Sequence, residues 1–433
     1  MITLTDRMAE LRSWQRAVLF AMAGMFALSV TRIISGANDL TSGNIFIATV
    51  GAAAPILFVA LGGLYSERSG VANIGLEGMM TLGTWGAAWA GWHWGPWAAL
   101  VGGAAFGMLG GLLHALATVT FGVDQIVSGV AINLIAPGVT RFLSSEIFAG
   151  QGANGEGTIT TSPAIKHTIG KFTFPGLASA LRTLDKKRWF FVSDVAGALR
   201  GFVDSVAWST VIALLLVPVS IYVLWRTPFG LRLRAIGEKP DAAESVGVGV
   251  YKLKYIALMI SGSLAGLGGA WLVIDIRQYG EGQTAGRGFI GLAALIFGNW
   301  RPIGVAFGAI LFTYGGSLGN ANGTKPIKAL YGFIAAAFLA MCIVIFIRGQ
   351  SKKVAIGMGF LGGGLLAFVL KTNDVNDQIV YITPYVIVLV VITLSSTRSR
   401  PPASVGQVWR KSGSTTMPAW MKRLSPSRLF SSH

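Results

Sequence analysis

The chain has 433 residues, of which 53% are hydrophobic and only 12% are charged. Because about a quarter of the residues in a soluble domain are charged, this composition excludes an ordinary soluble protein and indicates one that lies in lipid. The net charge of +17 is compatible with a nucleic-acid ligand, but the basic residues concentrate on one side of the predicted membrane, which excludes that function class.

Apolar runs of membrane-spanning length recur along the chain, and a helix needs about 20 such residues to cross the hydrocarbon core. No A-x-A-like cleavage site follows the first run, so it is interpreted as a retained span and not as a signal peptide. We therefore predict an all-α integral membrane protein with about 10–12 transmembrane helices. The runs are 17–34, 46–65, 72–92, 97–120, 124–143, 206–225, 255–275, 288–299, 302–318, 329–347, 354–370 and 379–395.

Basic residues predict the orientation of the chain. An N-terminus on the inside places most Lys and Arg in cytoplasmic segments, as the positive-inside rule requires. Run 288–299 is short enough for a re-entrant half-helix, but it is retained as a crossing because otherwise every later basic cluster would lie outside. We predict one membrane domain over residues 1–396, both termini in the cytoplasm, and a basic tail over 397–433. Its interleaved Trp409 and Trp420 are typical of an anchor on anionic lipid heads.

Two glycine-interrupted segments stand at corresponding places in the two halves of the chain, at 62–83 and 280–298. Such a pair is the best sequence indication of a substrate site in a transporter. The spans that follow these segments run in opposite directions, which is compatible with an internal inverted repeat. Similarity between the halves is too weak to establish one.

Polar side chains in or beside these spans are candidates for the substrate path, because such groups are costly at membrane depth without a cavity or a partner. Some also have a structural alternative: Glu77 could pair with Arg68, and Asn133 could form an interhelical hydrogen bond. Asp124, which precedes Gln125, is explained as a helix cap. His93 and His114 are assigned to packing or the interface. The candidates are Asn73, Glu77, Gln125, Asn133, Gln283, Arg287 and Asn299.

Catalytic and metal-binding patterns are missing from the sequence. Four scattered histidines and one cysteine, Cys342, supply neither a metal site nor an intramolecular disulfide. The Gly170-Lys171 pair is followed by Phe172, so the chain has no phosphate-binding loop of the G-x-x-x-x-G-K-[ST] type. We expect no cofactor in this chain, and any ATP-driven activity would need a partner that carries the nucleotide site.

The cytoplasmic connection 226–254 is predicted to hold a short helix. Pro240 is a start signal, the helix runs from Asp241 to Val246, and Gly247 is a stop signal. A compact amphipathic helix on this side could dock into a groove of a soluble motor. The alternative is an exposed, solvated connector.

Three long segments carry a resemblance to a known family. The segment GLRLRAIGEKPDAAESVGVGVYKLKYIALMISGSLAGLGGAW resembles the coupling loop and following span of permeases of the ribose and branched-chain amino acid class of ABC importers. GLYSERSGVANIGLEGMMTLGTW and TAGRGFIGLAALIFGNWRPIGVAFGAILF resemble more narrowly its nucleoside or purine permeases. IVSGVAIN at 126–133 and ITPYVIVLVVITL at 382–394 extend the match over most of 46–320 and the last span.

The resemblance implies a subunit of a heteromeric importer in the bacterial plasma (inner) membrane. Such permeases pair with a second homologous permease, sit on ATPase subunits that bind ATP and Mg, and receive substrate from an extracytoplasmic binding protein. Gly70, Asn73, Gly75, Glu77 and Gly78 fall on the broken segment of the family. Its coupling motif falls on Gly237, Glu238, Pro240, Ala242, Ala243 and Gly247.

Two stretches depart from the family pattern. The external loop 145–205 is longer than expected and could contact the binding protein, and 327–371 resembles an inserted transmembrane hairpin that preserves topology. The sequence thus favours a permease that couples the motion of an ATPase to alternating access for nucleosides or similar small polar solutes. The alternatives are an ion-gradient-driven secondary transporter, in which Glu77 or Asp275 binds the coupling ion, and a non-transporting scaffold or receptor subunit.

Overall fold

The computed structural model describes residues 13–319, 324–347, 352–372, 375, 377–395 and 400–410. The predicted positions of Trp420 and of the basic residues at 1–12, 348–351 and 411–433 lie outside the described residues. Each of the twelve apolar runs corresponds to a helix, and eight helices in the described part are long and apolar enough to cross a membrane. The prediction of an all-α integral membrane protein is confirmed.

Two pairs of short helices interrupt the series of long helices. One pair, α6 and α7, lies between α5 and α8, and the other, α9 and α10, lies between α8 and α11. Helix α4 continues as a π-helical turn, Leu116–Thr120, and a two-residue antiparallel pair joins β1 (Lys171–Phe172) to β2 (Val206–Ala207). The helices are α1 Ser13–Ser35, α2 Gly43–Arg68, α3 Leu76–Trp94, α4 Pro96–Ala115, α5 Gln125–Ile147, α6 Leu177–Lys186, α7 Val192–Val203, α8 Trp208–Arg226, α9 Pro228–Glu238, α10 Pro240–Ser245, α11 Val250–Ile276, α12 Arg287–Phe297, α13 Pro302–Gly319, α14 Thr324–Ile347, α15 Lys352–Lys371 and α16 Asp377–Ser395.

Two connections define the two faces of the molecule. The lobe, residues 148–205, precedes α8, and the linker, residues 227–249, follows it, so the two lie at opposite ends of a spanning helix. We call these ends the lobe face and the linker face. Helix α2 runs in the same direction as α8, from the lobe face to the linker face, since its first residue contacts the lobe and its last contacts the linker.

Glycines allow the helices of the core to approach closely. Gly103, Gly107 and Gly111 of α4 recur every four residues and face Gly262 and Gly266 of α11. A Cβ on Gly107 or Gly266 would collide with the backbone of the opposite helix. Small residues at this spacing let transmembrane backbones pack together where the hydrophobic effect offers little. The abundant glycine of the sequence is thus used mainly for helix contact.

The chain between α11 and α13 crosses from one face to the other, although α12 has only 11 residues. At the lobe face, Tyr279 N donates to Ser162 Oγ at 3.0 Å. At the linker face, Arg68 Nη2 donates to the carbonyl of Trp300 at 2.6 Å. The short run therefore forms the second half of a crossing whose first half is the non-helical stretch before Arg287. This geometry agrees with the orientation predicted from the basic clusters.

Buried ion pairs hold the lobe together, and one of them joins it to the membrane domain. Arg200 contacts Asp185 and, at 3.0 Å, Asp204. Asp194 lies 3.2 Å from Arg32 of α1. Burial raises the pKa of the Asp204 carboxyl, but hydrogen bonds from Arg182 and Arg200 outweigh it, so the pKa lies below its usual value. The charge-rich stretch of the predicted loop is therefore a structural network.

Helices α14 and α15 form a hairpin at the edge of the molecule. They pack on each other, and large apolar side chains such as Phe346 and Phe360 are 70% and 84% exposed. Lys328 Nζ donates to the carbonyl of Thr372, which ties the two helices at the lobe face. Apolar exposure of this extent suits a surface that contacts lipid. That the hairpin is an insertion relative to the family stays a prediction.

Candidate functional site

Asparagine side chains satisfy the unwound backbone between α2 and α3. Asn133 Oδ1 accepts from Gly78 N at 2.7 Å, and its Nδ2 donates to the carbonyl of Ile74 at 2.9 Å. Asn73 Nδ2 donates to Ser261 Oγ at 2.9 Å. Unpaired backbone groups are costly in lipid, so a non-helical stretch at this depth needs such partners. Both asparagines have a structural role, and Asn133 makes the interhelical bond given as its alternative.

The central residue of this stretch, Ala72, is held by two further side chains. Its N–H donates to Gln125 Oε1 at 2.6 Å, and its carbonyl lies 3.0 Å from His114 Nε2. The other ring nitrogen of His114 is 2.8 Å from Ser128 Oγ. A carbonyl can only accept, so Nε2 carries a proton. Sequence reasoning assigned His114 to packing and missed this bond, because its partner is a backbone group 42 residues away.

Glu77 joins the two broken segments. Its Oε1 accepts from Gly286 N at 2.9 Å and its Oε2 accepts from Gly288 N at 2.6 Å, at the N-terminus of α12. A carboxylate is favoured at this position by the free N–H groups and the helix dipole. Arg68 instead donates to the carbonyl of Trp300, so the pairing of Glu77 with Arg68 considered from the sequence is wrong.

The remaining three candidates, Arg287, Gln283 and Asn299, lie in different surroundings. Arg287 Nη1 donates to the carbonyls of Gln283 and Thr284 at 2.9 and 3.2 Å, and no carboxylate in the described ranges lies within ion-pair distance of it. Gln283 Nε2 is buried and has no partner in that same part of the chain. Asn299 lies at the linker face, where its Oδ1 accepts from Arg400 N at 2.8 Å. Only Arg287 among the seven lines a cavity described here.

A cavity of about 260 Å³ lies between α2, α12, α13 and α16. Ile56, Ile290 and Phe312 give it an apolar wall, while Arg287 and the hydroxyls of Thr313, Ser317 and Tyr385 are polar. Tyr385 OH donates to the carbonyl of Ala285 at 2.8 Å, next to Arg287. Sequence reasoning missed the hydroxyl residues. Its one signal was the motif of the last span, ITPYVIV, which contains Tyr385. The lining residues are Ala52, Ile56, Ala285, Arg287, Ile290, Phe312, Thr313, Gly316, Ser317, Pro384 and Tyr385.

Large exposed side chains lie at Tyr385, which lines the cavity, and at positions close in sequence to other lining residues. Phe289, Ile382 and Tyr385 are 49%, 51% and 47% exposed. They belong to α12 and α16, the helices that hold Arg287 and Tyr385. This chain alone therefore leaves the flank of the cavity at Tyr385 partly uncovered.

A second cavity, of about 730 Å³, lies in the lobe face. Charged groups of both signs line it, among them Asp39, Lys186 and Arg188, beside the buried pairs of Arg200. Its volume lies within the range of ligand sites, about 300–1,000 Å³, but its lining is far more polar than theirs. Such a surface suits a polar or charged partner.

The linker forms two short helices. Helix α10, Pro240–Ser245, agrees within one residue with the predicted helix, and Gly247 follows it with φ +84°. Helix α9, Pro228–Glu238, was not predicted, although Thr227 caps it and Pro228 begins it. Glu238 and Ala242 are exposed, whereas Ala243 is 5% exposed and packs into the core. Gly237 lies so close to the carbonyl of Arg68 that a Cβ would collide with it.

These features define a polytopic membrane protein with a cavity between α2, α12, α13 and α16 that has an apolar wall and a polar side at Arg287. Residues 45–342 match the family described as the permease component of branched-chain amino acid transport systems. This match covers more than half of the chain, and the chain therefore belongs to that family of permeases. No solved structure matches the chain at a significant level.

Several relatives are named as permeases of the same kind. The chain is 38% identical over 329 residues to the guanosine ABC transporter permease protein NupQ of Bacillus subtilis, covering 73% of this chain and 96% of NupQ. It is 36% identical over 301 residues to the nucleoside ABC transporter permease protein NupC of Lactococcus lactis, covering 67% and 86%. It is also 25% identical over 315 residues to the guanosine ABC transporter permease protein NupP of B. subtilis, covering 71% and 81%.

Proposed function

We propose that the chain is one membrane-spanning subunit of an ATP-driven importer of nucleosides. The observation that carries the proposal is the cavity beside Arg287, in a chain whose relatives are named as guanosine and nucleoside permeases. Ile56 and Phe312 offer an apolar surface to the base. Arg287, Thr313 and Tyr385 offer hydrogen bonds to its carbonyl and to the ribose hydroxyls. The volume of about 260 Å³ lies near the lower end for ligand sites, as suits a small solute.

A second permease would close the exposed flank of this cavity. The exposed residues Phe289, Ile382 and Tyr385 lie at or beside lining positions, and two different relatives from one organism, NupQ and NupP, both carry the name of a guanosine permease. The exposed side chains and the two relatives together support a pair of related permeases with the substrate path between them. Closing the flank would remove the cavity from lipid and leave it open only along the path.

The linker face is proposed to be cytoplasmic, in the bacterial plasma membrane. Arg226, Arg232 and Arg234 lie there, which suits the positive-inside rule. Helix α10 would dock to an ATPase subunit that binds ATP and Mg²⁺. Ala242 on this helix and Glu238 just before it are both exposed. The lobe face would receive the extracytoplasmic binding protein on its charged cavity.

The first test is extraction of the tagged chain from native membranes and identification of its partners by mass spectrometry. Recovery of an ATPase with a phosphate-binding loop and of a second permease is expected, with guanosine uptake by the reconstituted complex that requires ATP. Recovery of the chain alone, with uptake that responds to ion gradients and not to ATP, would favour a secondary transporter. Of the two candidate ion ligands of such a transporter, Glu77 and Asp275, Glu77 already has both carboxylate oxygens occupied by backbone N–H groups.

Arg287→Ala provides the test of the cavity itself. It removes the one cationic side chain that lines the cavity, so guanosine uptake is expected to fall about tenfold, as the loss of a charged hydrogen bond of about 1.5 kcal/mol implies. The matched control is Arg301→Ala, because Arg301 is exposed at the linker face. Equal uptake by both variants would exclude a role for Arg287 in the path.

A further inference from the structure

Residues 400–410, which we call the strap, lie against the linker. Ser404 N and Ser404 Oγ both donate to the carbonyl of Gly237, at 2.9 and 2.7 Å, and Ser404 is only 4% exposed. Gly70 leaves the space for this serine, since a Cβ there would collide with Ser404 Oγ. The strap thus fills the notch between the end of α2 and the end of α9. For residues 400–410 this corrects the prediction of a lipid-bound anchor; residues 411–433 lie outside the described part.

Trp409 attaches the strap to helix α10, the helix proposed to dock to the ATPase. Its Nε1 donates to Asp241 Oδ1 at 2.7 Å, in the first turn of α10. Its ring lies 5.2 Å from that of Tyr251, and Lys254 Nζ is 5.8 Å from the ring centroid. A helix of six residues has little stability of its own, since isolated helices below about 12 residues are marginal in water. Contacts such as this one position α10.

Gln125 connects the strap to the first broken segment. Its Oε1 accepts from Ala72 N at 2.6 Å and from Gly406 N at 3.1 Å, while its Nε2 donates to the carbonyl of Gln407 at 3.0 Å. The side chain is only 3% exposed. One buried amide therefore bonds both the unwound backbone and the strap, and leaving any of these groups unpaired would cost about 1–3 kcal/mol.

The other end of the strap reaches the second broken segment. Arg400 N donates to Asn299 Oδ1 at 2.8 Å, in the turn that follows α12. In this turn Asn299 and Trp300 both have positive φ, of 51° and 53°, a conformation that non-glycine residues adopt only when held. The carbonyl of Trp300 is held by Arg68.

We propose that the strap is a positioning element that transmits movement of α9 and α10 to both broken segments. The inference rests on the proposed function, because it assigns the source of the movement to the ATPase. Its basis is that one short stretch of chain bonds α9, α10 and the turn after α12, and is joined to the unwound residues after α2 through the side chain of Gln125. When α10 moves, the strap carries the displacement to the segments that border the path.

Substitutions in the full complex, reconstituted with its ATPase and second permease, test this role. Trp409→Ala removes the bond to Asp241 and the ring contact, and Gln125→Leu removes the bridge to Ala72. We expect guanosine transported per ATP hydrolysed to fall about fivefold or more, the lower end of typical coupling between sites. Basal ATP hydrolysis and subunit composition stay unchanged. The control is Gln407→Ala, whose side chain, among the residues that the structure describes, bonds the carbonyl of Ala403 at 3.3 Å, inside the strap.

The outcomes separate the two proposals. A wild-type complex without an ATPase or without ATP-driven uptake would reject the proposed function. If wild type transports and both variants keep its transport per ATP, the strap proposal alone is rejected. Loss of the ATPase from the variant complexes would also reject it, because the strap would then be part of the docking surface. Faster uptake would reject it in favour of an inhibitory segment.

A cross-link gives an independent measurement, because transport is compared before and after cross-linking of one and the same variant. Ala403 N lies 3.3 Å from Glu238 Oε2, so Ala403→Cys and Glu238→Cys are joined by a short bifunctional thiol reagent in a Cys342→Ser background. If the strap moves together with α9, the cross-linked double variant transports as much guanosine per ATP as the same variant without the cross-link. A loss of transport on cross-linking would show that the strap must detach, which contradicts the proposal.

Discussion

At the scale of single residues, the polar side chains of the membrane domain divide into those that support backbone and those that face open space. Asn73, Gln125 and Asn133 bond backbone groups of the unwound stretch after α2, whereas Arg287 lines the cavity. The division follows from the bilayer, which offers no water to unpaired N–H and C=O groups. A broken helix therefore requires its own set of buried amides, and these resemble substrate ligands in the sequence.

Glu77→Gln is expected to lower the thermal stability of the detergent-extracted protein. The amide has one acceptor oxygen where the carboxylate has two, so Gly286 N or Gly288 N faces an NH₂ group and loses its bond, at a cost of about 1–3 kcal/mol. The control Glu281→Gln breaks only an exposed pair with Arg141, which contributes about 1 kcal/mol or less. A melting temperature equal to that of the control would refute the role given to Glu77.

Asp204 is expected to make the lobe sensitive to acid. Its pKa in the folded protein is depressed, so its contribution is fully present above the unfolded value of about 3.9 and is lost as pH falls through the lower folded value. Resistance of the lobe to proteolysis should be constant from neutral pH to about pH 5 and decline below about pH 4. In Asp204→Asn this acid decline should weaken, whereas Asp39→Asn, at an exposed carboxylate, should retain it. An unchanged decline in Asp204→Asn would contradict the assignment.

At the scale of elements, the contact between α4 and α11 organises the core. The two helices meet through glycines, and α3 packs against both. This arrangement holds α3, and with it Glu77, at a fixed distance from α12. The position of the cavity thus depends on helix contacts that contain none of its lining residues.

Gly107→Ala should destabilise this contact. A Cβ at position 107 would collide with the carbonyl of Gly262 and lie 2.6 Å from Gly266 Cα, and backbone cannot move aside as a side chain can. Overpacking of this kind costs about 1–3 kcal/mol, so a smaller monodisperse fraction after heating is expected in size-exclusion chromatography. Gly138→Ala is the matched control, because a Cβ there meets open space. Equal heat resistance of the two variants would rule out the close contact.

At the scale of the whole molecule, the crossings alternate so that the linker and the strap share one face and the lobe occupies the other. One hydrogen bond marks each face. Trp409 bonds Asp241 at the linker face, and Tyr314 OH bonds the carbonyl of Leu40 at the lobe face. A transporter driven from one face needs this separation, because the motor and the entry of substrate lie on opposite sides. In the proposed importer they would be joined through α2, the strap and the broken segments.

Removal of the hairpin, residues 324–371, should preserve this topology. Helices α13 and α16 would then join at the lobe face, and the newly exposed apolar surface would meet lipid, which is as apolar as the side chains it replaces. The deletion also removes Cys342, so a single cysteine in Val408→Cys can be labelled with an impermeant reagent. Labelling from the linker face alone is expected, as in full-length Cys342→Ser with the same Val408→Cys change. Labelling from the lobe face would contradict the arrangement.

The sequence by itself determined the class and the twelve apolar helices, because a bilayer demands long apolar runs, about 20 residues per crossing. It also contained helix α10, whose Pro240 and Gly247 act locally. The tertiary structure alone decided what the polar residues do. Glu77 and Gly286 are 209 residues apart, and Ser404 bonds a carbonyl, which every residue has and which leaves no mark in a sequence. Local signals fix the elements, whereas the bonds that join the broken segments, the cavity and the strap arise only when the chain is folded.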